Sequence, residues 1–212
     1  MEKEINTRRI PTGEGVMDDK KFNDLIYAYL QTISHRVPNK QERYVWKNNF
    51  EQSEVAKRLG MNLRTFKRKF ANLKQKGYIV DGGDVYNLPL VSKWCFFIPL
   101  ETLEYLIDTA NEKVISVYSY LGELKNEVGN NAYFTKSRLL ILLGYKTLKN
   151  IDGETVEVAS TNKKDWDKIN NILQCLCNNG LLQYREVKEI YNGKYIYKNY
   201  YEIKTRVKTY NM

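Results

Sequence analysis

The chain has 212 residues, of which 42% are hydrophobic and 28% charged, and its formal net charge is +9. This composition is that of a folded protein and excludes a chain that is disordered throughout. The excess of positive charge favours a polyanionic partner, either nucleic acid or an anionic membrane surface. No apolar run reaches the ~20 residues that cross a bilayer, and no apolar signal sequence follows the first residues. We therefore expect a cytoplasmic protein without a membrane partner.

The N-terminal part of the chain divides into an arm and a helix. Residues 1–19 are expected to form a flexible arm, because prolines and glycines interrupt any periodic pattern there. Arg8 and Arg9 of this arm either reach a phosphate or a minor groove of DNA, or belong to a solvated tail. From residue 20 to residue 34, apolar residues recur at spacings of three and four, which predicts the first helix.

The next segment predicts two helices, a tight turn between them and a β-hairpin. The second helix ends at Gly60, and the third runs from its N-cap, Asn62, to Gly77. Two short β-like runs around a Gly-Gly turn follow over residues 78–86. This order is typical of a winged helix, in which the tight turn joins the two helices of a helix-turn-helix. We therefore assign residues 20–92 to a first winged-helix domain.

Residues 93–212 repeat this plan and are assigned to a second winged-helix domain. One helix begins after Pro99, a polar step separates it from the next, a third ends at Gly144, and a fourth begins at Asn162. Residues 145–160 are expected to form a loop, and a long hairpin with an Asn-Gly turn closes the chain. The predicted fold class is α+β and mainly helical, with two winged-helix domains in tandem.

The third helix of the first domain carries the clearest functional pattern. Its apolar residues are predicted to form one buried face and are Leu63, Phe66, Phe70 and Leu73. The other faces carry basic and hydrogen-bonding residues and no acidic one, which suits the major groove of DNA, whereas a merely solvated helix usually mixes both signs. The candidates for reading bases are Asn62, Arg64, Thr65 and Arg68, with Asn72 on the same polar side. The candidates for phosphate contacts are Lys67, Lys69, Lys74 and Lys76.

The second domain gives weaker signals for DNA. Its corresponding helix carries Lys163 and Lys164, but Asp165 and Asp167 follow them directly. The last hairpin carries Lys194 and several tyrosines, which either stack on bases or partners or simply pack on the strands. The sequence leaves open whether this domain contacts double-stranded DNA or forms a homodimer.

The sequence lacks the motifs of enzymes and of metal sites. There is no glycine-rich phosphate loop, no GxSxG and no HExxH. The pair Tyr200-Tyr201 resembles a nickase nucleophile pair, but such enzymes need a metal site, and His35 is the only histidine. The three cysteines lack zinc-site spacing and fit a reducing compartment. We expect a protein that is not an enzyme and that binds neither a metal nor a cofactor.

Two stretches carry a family resemblance. The second half, from Phe97-Ile98-Pro99-Leu100 through Tyr133-Phe134-Thr135 to Gly180-Leu181-Leu182, resembles winged-helix proteins of Gram-positive plasmids and phages, namely the N-terminal domains of plasmid replication initiators and of DnaD-like primosomal proteins. Residues 54–65 are similar to the helix-turn-helix of many bacterial regulators. The resemblance implies binding to double-stranded DNA in replication initiation or at an origin. The alternatives are a transcriptional regulator and a protein-interaction adaptor of a replication complex, each with replication or transcription proteins as partners.

Overall fold

The structure is a computed structural model and describes residues 7–11, 25–38, 40, 42–89, 95–151, 153–191 and 193–205. The described residues form an α+β fold of α-helices and small antiparallel sheets. They divide into two compact units, with unit 1 ending at Glu112 and unit 2 beginning at Lys113. No helix among the described residues combines the length and the apolar character that a membrane crossing requires.

Unit 1 contains a four-stranded sheet, a two-stranded sheet and four α-helices in the described residues. In chain order, its elements are β1 (Thr7–Pro11), α1 (Leu25–Ile33), β2 (His35–Arg36), β3 (Arg43–Trp46), α2 (Gln52–Arg58), α3 (Leu63–Gln75), β4 (Val80–Gly82), β5 (Val85–Leu88), β6 (Cys95–Pro99) and α4 (Leu100–Thr109). The larger sheet has the order β2-β3-β5-β4, and β1 pairs with β6. The hairpin β4–β5 is as predicted, whereas β3, its partner strand, was not predicted from the sequence.

The core of unit 1 lies between the inner side of the larger sheet and the helices. Phe50, Phe66, Phe70 and Tyr86 form an aromatic cluster there, with ring centroids 5.2 Å apart for Phe70 and Tyr86 and 5.4 Å apart for Phe50 and Phe70. Aromatic pairs at such distances stabilise a core beyond their buried area. The cluster holds α3 by one face, so the opposite face of that helix is left to solvent.

The prediction of a flexible arm is wrong for residues 7–11. These residues form β1, which pairs along its whole length with β6, from Thr7 opposite Pro99 to Pro11 opposite Cys95. The side chain of Arg8 is buried, and its Nε donates a hydrogen bond of 2.7 Å to the carbonyl oxygen of Gln31 near the C-terminus of α1. A cation suits this end of a helix, because its unpaired carbonyls carry partial negative charge. Arg8 therefore stabilises the fold, and its buried guanidinium is not available to DNA. The side chain of Arg9 lies outside what the structure describes.

The division between the units also differs from the domain boundary that the sequence predicts near residue 92. Strand β6 and helix α4 belong to unit 1, since β6 pairs with β1 and α4 packs against α1. These are contacts between segments far apart in the chain, which no local pattern reveals. The polar step after α4 ends a helix as expected, because α4 stops at Thr109 and the next helix begins at Glu112.

Unit 2 shares part of its connectivity with unit 1 and has one additional hairpin between its second and third helices. In chain order, its elements are α5 (Glu112–Val128), whose first residue closes unit 1, β7 (Tyr133–Phe134), α6 (Lys136–Leu142), β8 (Lys146–Ile151), β9 (Glu154–Ala159), α7 (Lys163–Asn178), β10 (Leu182–Tyr191) and β11 (Lys194–Ile203). In unit 1, the strand before α2 pairs with the second strand of the hairpin that follows α3. In unit 2, the strand before α6 pairs in the same way with β11, after α7.

The expected loop over residues 145–160 is wrong, since β8 and β9 form a hairpin there. The alternation of apolar and polar residues and the Asp-Gly step between the strands were the signals for it. The hairpin stands where unit 1 has only the tight turn between α2 and α3. Its base is fixed by a backbone hydrogen bond of 2.9 Å from the Ser160 amide to the Tyr145 carbonyl.

Candidate nucleic-acid interface

The start of α3 is fixed by its turn and by its N-cap. Gly60 adopts a φ of +64°, which ends the preceding helix in the left-handed region that glycine favours. The Oδ1 atom of Asn62 accepts a hydrogen bond of 2.8 Å from the backbone N–H of Thr65, so this asparagine caps α3 as predicted. The cap uses the Oδ1 acceptor of the Asn62 side chain, whereas its Nδ2 donors form no hydrogen bond with another described residue. The Asn62 side chain therefore stabilises the start of α3, and only its Nδ2 donors are available to contact a base.

The buried side of α3 is shorter than predicted. Phe66, Phe70 and Leu73 are buried, whereas Leu63 is 39% exposed. The aromatic cluster of unit 1 contacts α3 at Phe66 and Phe70, and it does not cover the first turn of the helix. The prediction for Leu63 is wrong because helical spacing gives the direction of a side chain but not the extent of the surface that covers it.

Three cations lie together on the exposed side of α3. Arg64, Lys67 and Arg68 are exposed, and no ion pair joins any of them to another residue that the structure describes. Their spacing of three and four residues places them on adjacent turns of one face. Their full hydrogen-bonding capacity is available to a ligand, since nothing in the described residues neutralises them.

Two other predicted phosphate contacts are engaged within the protein. The Nζ atom of Lys69 lies 2.6 Å from a carboxylate oxygen of Glu112. Lys74 forms an ion pair with Asp81 and lies 5.6 Å from the ring centroid of Tyr86. Lys74 and Lys69 are therefore structural cations in the free protein, and their carboxylate partners must be released before either can bind a phosphate.

A small cation–carboxylate cluster links α3 to the hairpin β4–β5. Asp81 of β4 pairs with Lys74 and also, at 2.9 Å, with Lys47. The hydrogen bond from Lys74, followed by that from Lys47, holds the pKa of the Asp81 carboxyl below its usual range. The remaining candidates Thr65, Asn72 and Lys76 are half-buried, and Lys76 is the C-cap of α3. Sequence reasoning missed Lys47 and Glu112, because both are brought to α3 by tertiary packing alone.

The corresponding helix of unit 2 presents mixed charges. Lys163 and Lys164 are exposed, and the Oδ1 atom of Asn162 caps the helix by accepting a hydrogen bond of 2.9 Å from the Lys164 N–H. Asp165 accepts a hydrogen bond from Ser160 and pairs with Lys168, and these two contacts, in this order, lower its pKa. The Asp165 carboxylate therefore stays ionised beside the two lysines and weakens their attraction for a polyanion.

The hairpin β10–β11 is a ribbon that extends past its supporting strand. Only Asn199 and Tyr200 of β11 pair with β7, so the outer half of the ribbon pairs with no third strand among the described residues. Ile190, Tyr191 and Tyr195 near its tip are 70%, 65% and 63% exposed. At its base the tyrosines pack: Tyr201 is buried, and its hydroxyl donates a hydrogen bond of 2.6 Å to the Leu121 carbonyl. Strand packing thus explains the inner tyrosines but not the outer ones.

Two cations accompany the exposed tip of this ribbon. Lys188 lies over the ring of Tyr195, with its Nζ atom 3.7 Å from the ring centroid. Lys194 is exposed at the start of β11 and forms no ion pair with another described residue. Lys198 is different, because Glu189 pairs with it at 2.6 Å. The tip therefore carries apolar surface together with positive charge.

Compared with known proteins, the chain matches no family model, no curated sequence and no solved structure significantly. Among the described residues, no group of three or more histidine, cysteine, aspartate or glutamate side chains is arranged to hold a metal ion. The exposed face of α3 carries the most specific arrangement of functional side chains among the described residues.

Proposed function

We propose that the protein binds double-stranded DNA sequence-specifically, through a winged helix in unit 1 whose helix α3 enters the major groove. The observation that carries the proposal is the exposed face of α3, where Arg64, Lys67 and Arg68 lie together without an acidic neighbour on the helix. The connectivity of unit 1, with a strand, two helices and a hairpin whose second strand pairs back to the first, is the one that a winged helix requires.

The chemistry of α3 suits groove reading. The major groove is about 12 Å wide and admits an α-helix of about 10–12 Å diameter. An arginine can donate two parallel hydrogen bonds to the O6 and N7 atoms of guanine, so Arg64 and Arg68, one turn apart, favour guanine-containing sites. Lys67 lies beside them and is suited to a phosphate, as a point charge that carries no sequence information.

The hairpin β4–β5 serves in this proposal as a wing beside the DNA backbone. Its Asp81 would repel phosphates if it stood alone, but Lys47 and Lys74 neutralise it. The wing therefore approaches the backbone without a large electrostatic penalty. Exchange of Asp81 for a phosphate by either lysine would add a contact that forms only in the complex.

Unit 2 supplies a second contact with the duplex through the tip of the ribbon β10–β11, where Lys188 and Lys194 lie. Lys163 and Lys164 of α7 contribute less, because Asp165 and Asp167 are adjacent. A second candidate role is self-association, which the exposed Ile190, Tyr191 and Tyr195 favour, since aromatic residues are enriched at interfaces.

The biological role that we propose is replication initiation or origin binding in a plasmid- or phage-type element, on the resemblance of the second half to replication initiators. A transcriptional regulator and an adaptor of a replication complex are the alternatives. The position of the bound sites, at an origin or at promoters, separates the first two roles, and partner binding without DNA binding indicates the third.

The decisive experiment selects bound fragments from sheared bacterial and plasmid DNA at moderate salt. The variant Arg64→Ala/Arg68→Ala is compared with the parent and with Arg138→Ala/Lys149→Ala, which removes two exposed cations from unit 2. We expect discrete sites with the parent and with the unit 2 variant, and their loss with the α3 variant. Equal enrichment by all three proteins would contradict the assignment of α3, and no enrichment by any of them would redirect the search to protein partners.

A further inference from the structure

The outer side of the four-stranded sheet in unit 1 is uncharged and aromatic. The register of the strands places six residues on this outer sheet face: His35, Tyr44, Trp46, Val80, Val85 and Asn87. The buried Val45 and Leu88 point to the opposite side, where the core lies. The aromatic residues on the outer face therefore do not contribute to the core of unit 1. This face carries no acidic residue, lysine or arginine, although 28% of the residues of the chain are charged.

The three rings of the outer sheet face form a continuous row. The ring centroids of His35 and Tyr44 are 5.5 Å apart, and those of Tyr44 and Trp46 are also 5.5 Å apart. Trp46 is 41% exposed. The strands hold the rings in fixed positions, so a ligand that stacks on them does not have to order them first.

A polar amide lies beside this row. The register places Asn87 directly opposite Tyr44 and Val80. Its amide covers Gly82, since a Cβ atom at that glycine would clash with the Nδ2 atom of Asn87. The outer sheet face therefore offers flat rings together with an amide that can both donate and accept hydrogen bonds.

Two arginines stand at the end of the row where the edge strand β2 lies. Arg36 and Arg43 face each other across β2 and β3. Arg43 donates hydrogen bonds to Ser34, and Arg36 donates one to the Lys40 carbonyl, while no ion pair joins either arginine to a described carboxylate. Burial, followed by the proximity of Arg36, lowers the pKa of Arg43, as is expected for two neighbouring cations. This end of the sheet consequently attracts an anion.

We propose that the outer sheet face of unit 1 binds single-stranded nucleic acid, with bases stacked on His35, Tyr44 and Trp46 and a phosphate at Arg36. Aromatic side chains beside positive charge are the arrangement by which proteins hold unpaired bases and their backbone. Arg36 and Arg43 alternate with the aromatic residues along β2 and β3, so their side chains lie on the opposite face of the sheet. A nucleic-acid strand that contacts both the rings and Arg36 therefore passes around the edge of the sheet at β2. A protein partner would gain little from Arg36 and Arg43 unless it carried an anion there, whereas every nucleotide does.

This site is separate from the cationic face of α3, so the two proposals can fail independently. The test measures the fluorescence anisotropy of labelled oligo-dT and oligo-U of 20 nucleotides, and of a 20-base-pair duplex, with the full chain. We expect Tyr44→Ala/Trp46→Ala to weaken binding of the single strands roughly 25-fold or more, because each ring contributes at least about fivefold. Duplex binding should stay within about twofold of the parent, because Arg64 and Arg68 are unchanged.

Controls separate stacking from unfolding. Tyr44→Phe/Trp46→Phe keeps two rings and should retain single-strand binding within about fivefold. Phe97→Ala removes an exposed ring elsewhere in unit 1 and should leave binding unchanged. Arg36→Ala should reduce the dependence of log affinity on log salt by about 0.7, the value for one phosphate contact on a single strand. The relative affinities of oligo-dT and oligo-U indicate which of the two nucleic acids is preferred.

Several results would overturn the proposal. One is that neither oligonucleotide binds; another is that the alanine double variant binds them as well as the parent does. A third is that Arg64→Ala/Arg68→Ala abolishes single-strand binding while Tyr44→Ala/Trp46→Ala does not, which would assign the single strand to α3. A dimer in sedimentation that Tyr44→Ala/Trp46→Ala dissociates, without any oligonucleotide binding, would assign the outer sheet face to a second copy of the chain.

Discussion

If unit 1 binds DNA as proposed, Asp81 limits the positive charge that Lys47 and Lys74 offer to a duplex. Its carboxylate pairs with both Lys47 and Lys74, and these pairs hold its pKa below the usual range, so it is ionised at neutral pH. We expect Asp81→Asn to release both ammonium groups toward phosphates. The duplex affinity should then rise roughly tenfold at low salt. The slope of log affinity against log salt should become steeper by about one to two, because each additional phosphate contact contributes about 0.9.

The control for this substitution is Asp84→Asn on the same hairpin. Asp84 is exposed and forms no ion pair with a described residue, although its charge acts on Lys47 from a distance, so its loss removes one negative charge without breaking an ion pair. A smaller gain in affinity is expected, with an unchanged slope. If electrophoretic titrations give the same gain for both variants, Lys47 and Lys74 do not contact the backbone. Acid should reproduce the effect of Asp81→Asn only below the lowered pKa, where the carboxylate becomes neutral.

Residue types in a helical pattern were enough to find the exposed cations of α3 but not their partners. Arg64, Lys67 and Arg68 follow from the sequence of the helix, because the position of the apolar residues fixes the opposite face. Lys69 and Lys74 fit the same pattern, yet their partners Glu112 and Asp81 reach them through packing of other elements. The pattern therefore overestimates the number of cations that are available to DNA.

At the scale of elements, the hairpin β8–β9 is a largely exposed addition to unit 2, in which β9 contacts α6. Residues 147–151 and 153–157 are exposed on both faces of the hairpin, and Leu148 is 67% exposed. Its two strands pair only with each other. We expect that joining Lys146 to Ala159 through Asn-Gly leaves the free energy of unfolding of unit 2 within about 1 kcal/mol of the parent, because little core is lost. Urea titration followed by circular dichroism measures this change.

The contacts of Tyr145 and Ser160 at the base of the hairpin remain in that variant, whereas the ion pair between Lys146 and Glu157 is lost. The Nε1 atom of Trp166 donates a hydrogen bond of 2.7 Å to the Ser160 carbonyl, and the Nζ atoms of Lys113 and Lys168 lie 4.5 Å and 4.6 Å from the ring centroid of Tyr145. As a control, Leu139→Ala opens a cavity in the core and should cost about 2–5 kcal/mol. Loss of cooperative unfolding in the shortened protein would mean that β8 and β9 support the core.

Elements whose sequence signals lie within a few residues were predicted well, whereas elements that form by pairing with distant segments were not. The caps Asn62 and Asn162, and the long hairpin with its Asn-Gly turn, carry their signals within a few residues. Strand β3 has only four residues and pairs with a strand some forty residues further on. Strand β1 lies in a segment rich in turn residues and becomes regular only because β6 pairs with it. For the same reason, the predicted domain boundary near residue 92 differs from the observed division between the two units.

At the scale of the whole molecule, one strand–helix–helix–hairpin arrangement occurs in both units with different surfaces. Unit 1 has a tight turn before α3 and an exposed helix face that is purely basic. Unit 2 has a hairpin in place of the turn, alternating charges on α7, and a long ribbon with exposed aromatic side chains. The repeated topology therefore does not imply that both units read a groove. In the proposed function, unit 1 reads bases and unit 2 adds affinity.

The salt dependence of duplex binding separates the roles of the two units. Each lysine that contacts a phosphate contributes about 0.9 to the slope of log affinity against log salt. We expect Lys188→Ala/Lys194→Ala to lower that slope by about two, with the preferred site unchanged, because the ribbon tip contacts only the backbone. Lys163→Ala/Lys164→Ala removes the same charge from α7 and should change the slope by less than one, because Asp165 and Asp167 keep the backbone away. Equal slopes for the parent and both variants, together with a concentration-dependent dimer, would instead make unit 2 the surface through which two copies associate.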